Sequence, residues 1–310
     1  MHAGRASTVL ARPRFRALGI VGLFLLPALL LYAVFVLIPI VQAVHYSFYK
    51  WNGLTPLTNF VGLANFQRAI GDPTFQLAAV HNAIIIILSL AIQIPFALGI
   101  ALMLNRQFAG RWLFRLIFFA PYVISEVIAG VVWRLILQPD GLAEGGLSAI
   151  GLGSLYSPWL ADPDTVLLAL FVIISWKYFG FHMVIMLAGL QGIPRELEEA
   201  AAIDGATRRE AIRYVTLPLL GPTIRVSVFL SIIGALQLFD LIWVTTKGGP
   251  VDASNTMATY LVDWGLRRFQ LGYGSAIAVI LFLIALIVAL AYQRFVMRRD
   301  LDGALTTGPV

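Results

Sequence analysis

The chain has 310 residues, 59% of them hydrophobic and only 12% charged, with a net charge of +6 and no cysteine. Soluble domains carry about 25% charged residues. This composition therefore excludes an ordinary water-soluble fold, whereas lipid accepts an apolar face. The missing cysteine excludes disulfides, thiolate metal sites and cysteine nucleophiles.

Crossing roughly 30 Å of hydrocarbon takes about 20 apolar residues in a helix. Six runs meet that length: 18–44, 77–104, 113–137, 166–190, 219–244 and 273–296. The first is far longer than the roughly 7–15-residue core of a secretory signal, and no small-residue cleavage motif follows it. It reads as a retained signal-anchor helix. Pro27, Pro39, Pro95 and Pro121 fall inside runs and are expected as packing kinks, since neighbouring helices can satisfy the freed carbonyls. No internal repeat or low-complexity segment is visible, and the tail 302–310 is expected to be disordered.

The basic residues lie mostly between the runs, which points to topology control rather than a nucleic-acid surface. Four segments hold 14 of them: the N-terminal tail, the second–third and fourth–fifth connections, and the C-terminal tail. The alternating segments hold five, Lys50, Arg68, Lys247, Arg267 and Arg268, and the stretch 138–165 has none. Positive charge stays on the cytoplasmic side, so both termini are expected inside, with tails 1–17 and 298–310 flanking a transmembrane domain 18–297. The outer connections are rich in turn formers such as Asn52-Gly53, Asp72-Pro73 and Gly248-Gly249-Pro250.

No catalytic set offers itself. None of the three lysines, Lys50, Lys177 and Lys247, is followed by Ser or Thr, so the phosphate-binding loop of ATPases is missing. No His-Glu-x-x-His pair and no Gly-x-Ser-x-Gly elbow occur. The expected role is therefore not enzymatic, with no metal and no cofactor bound by this chain.

Ionisable groups inside a membrane are costly and are candidates for function. Glu126 and Arg134, eight residues apart on one face of the third run, could pair through a neighbour and are expected as a structural pair buried against a partner subunit. Arg225 and Asp240 lie near the inner and outer ends of the fifth run, where snorkelling and interfacial roles suffice. Lys177, Tyr178, Phe181 and His182 on the fourth run, with Ser231 and Gln237 on the fifth, combine hydrogen-bonding groups and aromatic faces. They form a candidate substrate pathway.

The most informative stretch is 193–222, IPRELEEAAAIDGATRREAIRYVTLPLLGP. Pro194 can open a helix, and Glu196, Glu198 and Glu199 suit its first turns. Ala200, Ala201 and Ala202 form a small-residue face that another surface can approach. Gly205 can end this helix in the left-handed conformation. A second stretch, 206–215, carries Arg208, Arg209 and Arg213, and Pro218 is expected to mark the start of the fifth span. From the residues alone two readings stay open: a lever docked in a soluble partner, or an amphipathic loop on anionic lipid.

The same stretch resembles the cytoplasmic signature of binding-protein-dependent ABC importer permeases. The matching residues are Glu199-Ala200-Ala201, Gly205, Val215 and Leu217-Pro218, with Val where Ile is usual. Asp204-Gly205-Ala206 is similar to the sugar branch, related to the maltose and glycerol-phosphate permeases. Leu26-Pro27 with Tyr32 and Pro39 looks like that branch's opening, as does the segment from Asn59 to Phe66. Gln237 to Asp240 and Thr246 to Pro250 look like the end of its fifth core span.

The resemblance implies an all-α membrane protein of the type I ABC importer permease fold. It implies a multi-pass chain in a bacterial cytoplasmic membrane that carries a sugar. Its implied partners are a second homologous permease, two ATP-binding subunits that use ATP and Mg, and an extracytoplasmic sugar-binding protein. It makes 194–217 the ATPase-coupling region, with Glu199 fixing the docking, Gly205 the bend and Pro218 the link to the fifth span. Lys177, Tyr178, Phe181 and Ser231 fall at positions resembling the maltose permease's sugar contacts, with different residue types. The alternative is an ion-coupled secondary transporter acting without an ATPase, for which Glu126 is the strong membrane candidate.

Overall fold

A computed structural model describes residues 12–297, with side chains from Val21 onward. The expectations for tails 1–11 and 298–310 lie outside the described residues. Apart from one isolated bridge between Tyr49 and Phe60, the regular structure is helical. Helix α1 starts at Arg12 and ends at Ser47, with Val21–Ser47 as its candidate span, α2 is Ala64–Gly71 and α3 is Pro73–Leu104. Next come α4 (Arg111–Val123), α5 (Glu126–Leu137), α6 (Leu142–Ala149) and α7 (Val166–Gln191). The chain continues through α8 (Arg195–Ile203) and α9 (Arg208–Leu236) to α10 (Asp240–Thr245), α11 (Met257–Val262) and α12 (Leu271–Met297).

Five of these, α1, α3, α7, α9 and α12, are long and apolar enough to cross a membrane, and the count reaches six if α4 and α5 are one span. That third run was expected as one helix over 113–137. Instead it bends by 98° between α4 and α5, where Ile124 and Ser125 leave the helical conformation at ψ 138° and 142°. The fifth run is also interrupted. α9 stops at Leu236, and Asp240, expected near the outer end of a continuous span, is the first residue of the separate α10.

Two of the expected kink prolines, and Pro218 with them, share one local setting. Pro39, Pro95 and Pro218 each follow a π-helical turn, Ala33–Leu37, Ser89–Gln93 and Ile212–Thr216 respectively. Proline lacks the N–H of the helical ladder and its ring strikes the carbonyl four residues back. Here that carbonyl belongs to Phe35, Ala91 or Tyr214, inside the widened turn, so the span continues through the proline. At the N-terminus of α3, Asp72 accepts from the N–H groups of Thr74 at 2.8 Å and Phe75 at 3.2 Å, and Pro73 takes the first helical position.

α7 is the central helix. Its C-terminal half packs Met183, Met186 and Leu190 against Ala97 and Ala101 of α3 and Leu220 of α9. Its N-terminal half packs Leu170 and Ile173 against Ile85 of α3 and Leu241 and Ile242 of α10. A Cβ on Gly180 would lie 1.9 Å from the Phe118 carbonyl oxygen, so only glycine lets α4 rest on α7 at this point. A third cluster joins Phe75 and Ala78 of α3 to Met257, Tyr260 and Ile277. The apolar window of α1, by contrast, buries none of its residues.

Candidate coupling loop and mid-membrane cavity

The stretch 193–222 folds as two helices about a bend. Glu196 and Glu198 lie in the first turn of α8, beside the positive end of its dipole. Gly205 takes φ +87°. Its N–H donates to the Ala202 carbonyl at 3.1 Å, and the Ala206 N–H donates to the Ala201 carbonyl at 2.9 Å. These two bonds close a Schellman stop, with Asp204 as the C-cap. Thr207 and Glu210 then form a reciprocal capping box at the start of α9.

A second tie, which the sequence reading missed, runs from the buried Thr216 hydroxyl to Glu198 Oε1 at 2.9 Å. Glu199 and Ala200 are exposed on α8 and Ala201 is half-buried. α9 runs without interruption from Arg208, so Pro218 lies inside the helix rather than at its start. The π turn before it absorbs the missing N–H, and Leu217 and Pro218 lie within one continuous rod. The arginine-bearing stretch 206–215 is thus mostly the first turns of the helix that carries the fifth run. Beside α8 opens a cavity of about 560 Å³, whose lining includes Glu198, Glu199, Arg106, Arg195 and Arg208.

The polar residues of the fourth and fifth runs are divided by the fold. Tyr178, Phe181, His182 and Ser231 line one cavity of about 180 Å³ between α3, α4, α7 and α9. Tyr122 closes one side, stacked on Phe181 with centroids 4.7 Å apart. His182 Nδ1 lies 2.7 Å from Ser227 Oγ. Ser89 and Gln93, absent from the expected set, face the same cavity from α3. The Gln93 Nε2 is buried without a hydrogen-bond partner. Their spacing of four in an otherwise apolar run was the available signal.

Lys177 and Gln237 do not line this cavity. Lys177 is buried and its Nζ lies 2.5 Å from the Ile124 carbonyl oxygen. Gln237 is exposed, at the break after α9. In the single chain Glu126 and Arg134 have different surroundings. Glu126 accepts from the Tyr178 hydroxyl, whereas Arg134 lines another cavity of about 380 Å³ with Lys247. Among the described residues no group of three or more His, Asp or Glu side chains could hold a metal.

Residues 93–300 match the family described as binding-protein-dependent transport system inner membrane component. The chain belongs to this family. The permease is 35% identical over 272 residues to a probable ABC transporter permease of Pyrococcus horikoshii, covering 87% of this chain and 93% of the relative. It is 33% identical over 282 residues to the trehalose/maltose transport system permease protein of Thermococcus litoralis, covering 90% and 94%. Among solved structures it resembles a chain of a bacterial ABC transporter involved in the import of the acidic polysaccharide alginate. That likeness has a TM-score of 0.81 and 25% identity, covering 92% of this chain and 97% of the other.

The permease is therefore a membrane component of an ABC transport system that depends on a binding protein. Its relatives are transport subunits rather than enzymes.

Proposed function

We propose that the permease carries a sugar across the bacterial cytoplasmic membrane, driven by ATP that separate subunits hydrolyse. Six spans cross the bilayer, with α4 and α5 together as the third. The tails 1–17 and 298–310 lie on the cytoplasmic side of a single transmembrane domain, 18–297. A second homologous permease completes the pathway, an extracytoplasmic binding protein delivers the sugar, and two ATP-binding subunits hold ATP and Mg.

The observation that carries this reading is the elbow at Gly205, where the exposed α8 is fastened to a rod that runs straight into the membrane core. Glu199, Ala200, Ala201, Asp204, Gly205, Leu217 and Pro218 belong to the coupling region. A push on α8 passes through the Glu198–Thr216 bond into α9, and from Leu220 into α7. Tyr178, Phe181, His182 and Ser231 supply aromatic faces and hydrogen-bonding groups to a passing sugar ring. The relatives named for trehalose/maltose and for alginate support a carbohydrate cargo.

The test is photocrosslinking in native membranes, with the crosslinker placed at Ala200 of the tagged full chain. The expected product joins this chain to an ATP-binding subunit. Crosslinks to lipid alone, with no ATPase co-purifying, would leave the loop as a membrane-surface segment and overturn the reading.

A further inference from the structure

The joint between α4 and α5 leaves the last carbonyls of α4 without helical partners, and hydrocarbon offers none. One side chain serves three of them. Lys177 Nζ lies 2.5 Å from the Ile124 oxygen and 3.4 Å from those of both Pro121 and Tyr122. An ammonium has three protons to donate, and a cation at a helix C-terminus also meets the negative end of the dipole. The next residue of α7, Tyr178, donates to Glu126 in the first turn of α5. Two consecutive residues of the central helix thus grip opposite sides of the joint.

The fifth span's break is satisfied by neutral groups instead. Asn82 Nδ2 donates to the Ala235 carbonyl at 2.6 Å, and the Thr256 hydroxyl donates to Leu238 at 2.8 Å. Of the two breaks, the one in the third span depends on a charged tip at the end of a flexible stem.

We propose that Lys177 is a positioning residue. Its ammonium fixes the right-angled joint between α4 and α5 and, through the Tyr122 carbonyl, holds the Tyr122 ring in the cavity wall. Lys177 acts on the pathway through the backbone of a neighbouring span and does not touch the cargo. This assignment rests on the joint's geometry and stands apart from the identity of the cargo or of the ATPase.

The chain has no native cysteine, so two spin labels report cleanly. Labels at L113C on α4 and L135C on α5 sit at exposed positions. At 1.5 Å rise per residue and a 98° bend their backbones are about 22 Å apart, against about 33 Å for a straight span. Pulsed EPR on the assembled transporter in nanodiscs should give the short distance for the parent chain and for K177R. K177M keeps the aliphatic stem without the donors and should move toward the long distance.

A K177M complex that keeps the short distance overturns the proposal. If K177M does not assemble, the parent chain is labelled with ¹³C at the Ile124 carbonyl and ¹⁵N at the Lys177 amine. A strong dipolar coupling between the two supports the clamp, and its absence overturns it.

Discussion

Asn82 lies almost fully buried between two helix ends, with its amide donating to Ala235 and its oxygen accepting the Met257 N–H at 2.9 Å. Leucine is close in shape but offers neither atom. Asn82→Leu would leave a carbonyl and an N–H unpaired in the interior, at about 1–3 kcal/mol each. A clear fall in the thermal transition of the purified complex is expected, and an unchanged transition would show that these ends find other partners.

Gly180 is the second residue where one atom decides. Because the added methyl would overlap the Phe118 carbonyl, Gly180→Ala should separate α4 from α7 at a cost of about 1–3 kcal/mol. Looser packing there is checked by faster hydrogen exchange in α4; a parent-like rate would count against the close approach. Gly205 is a different case, since nothing lies near its missing side chain. Gly205→Val would strain only the backbone at φ +87°, as β-branched residues avoid that region. The expected result is ATP hydrolysis that persists while uptake is lost; uptake at parent level would remove the elbow from the coupling path.

At the scale of elements, α8 is held to α9 by the bend and by one side-chain bond between them. Thr216→Val keeps the shape and removes the hydroxyl that reaches Glu198. It should weaken protection of the α8 amides in hydrogen exchange while leaving the membrane part of α9 unchanged. Equal protection in both proteins would mean that the bend alone holds the lever.

The elements also show what could be read in advance. The long apolar helices, the Gly205 stop and the grouping of Tyr178, Phe181, His182 and Ser231 around one cavity were legible, because hydropathy, glycine conformation and spacing on neighbouring runs are local or nearly local signals. The joint at Ile124-Ser125 was not. Hydropathy is blind to direction, and the residues that stabilise the break, Lys177 and Tyr178, lie more than fifty positions away on another helix. For the same reason the Ile124 carbonyl could not be named as a neighbour of Lys177: a lone lysine in an apolar run announces a need for partners but does not say which. The role of Glu198 was hidden behind Glu199, the residue that carries the family pattern, since only the fold brings Thr216 beneath α8.

For the whole molecule, the packing is uneven in an informative way. α7 is wrapped by its neighbours, whereas the apolar window of α1 has no buried residue and both α4 and α5 expose large side chains such as Trp112, Ile117, Ile128 and Leu135. A subunit with so much apolar surface outside its own core gains stability from whatever covers that surface. Co-expression with a second permease should raise the thermal transition of this chain relative to the chain purified alone in the same detergent. No difference would place lipid, rather than protein, against these faces.

The widened turns ahead of Pro39, Pro95 and Pro218 carry a consequence for how such spans tolerate change. A hydrogen bond from residue i to i+5 encloses one residue more than the ordinary helical bond, so each of these turns stores a spare residue in register. Removing a single residue from the turn at Ser89–Gln93, together with Pro95→Ala, should yield a plain α-helix whose downstream faces keep their orientation. Removing one from the regular part of the same span would instead rotate everything beyond it by about 100°. The prolines therefore mark the places where these spans can lose a residue and still present the same side chains to their neighbours.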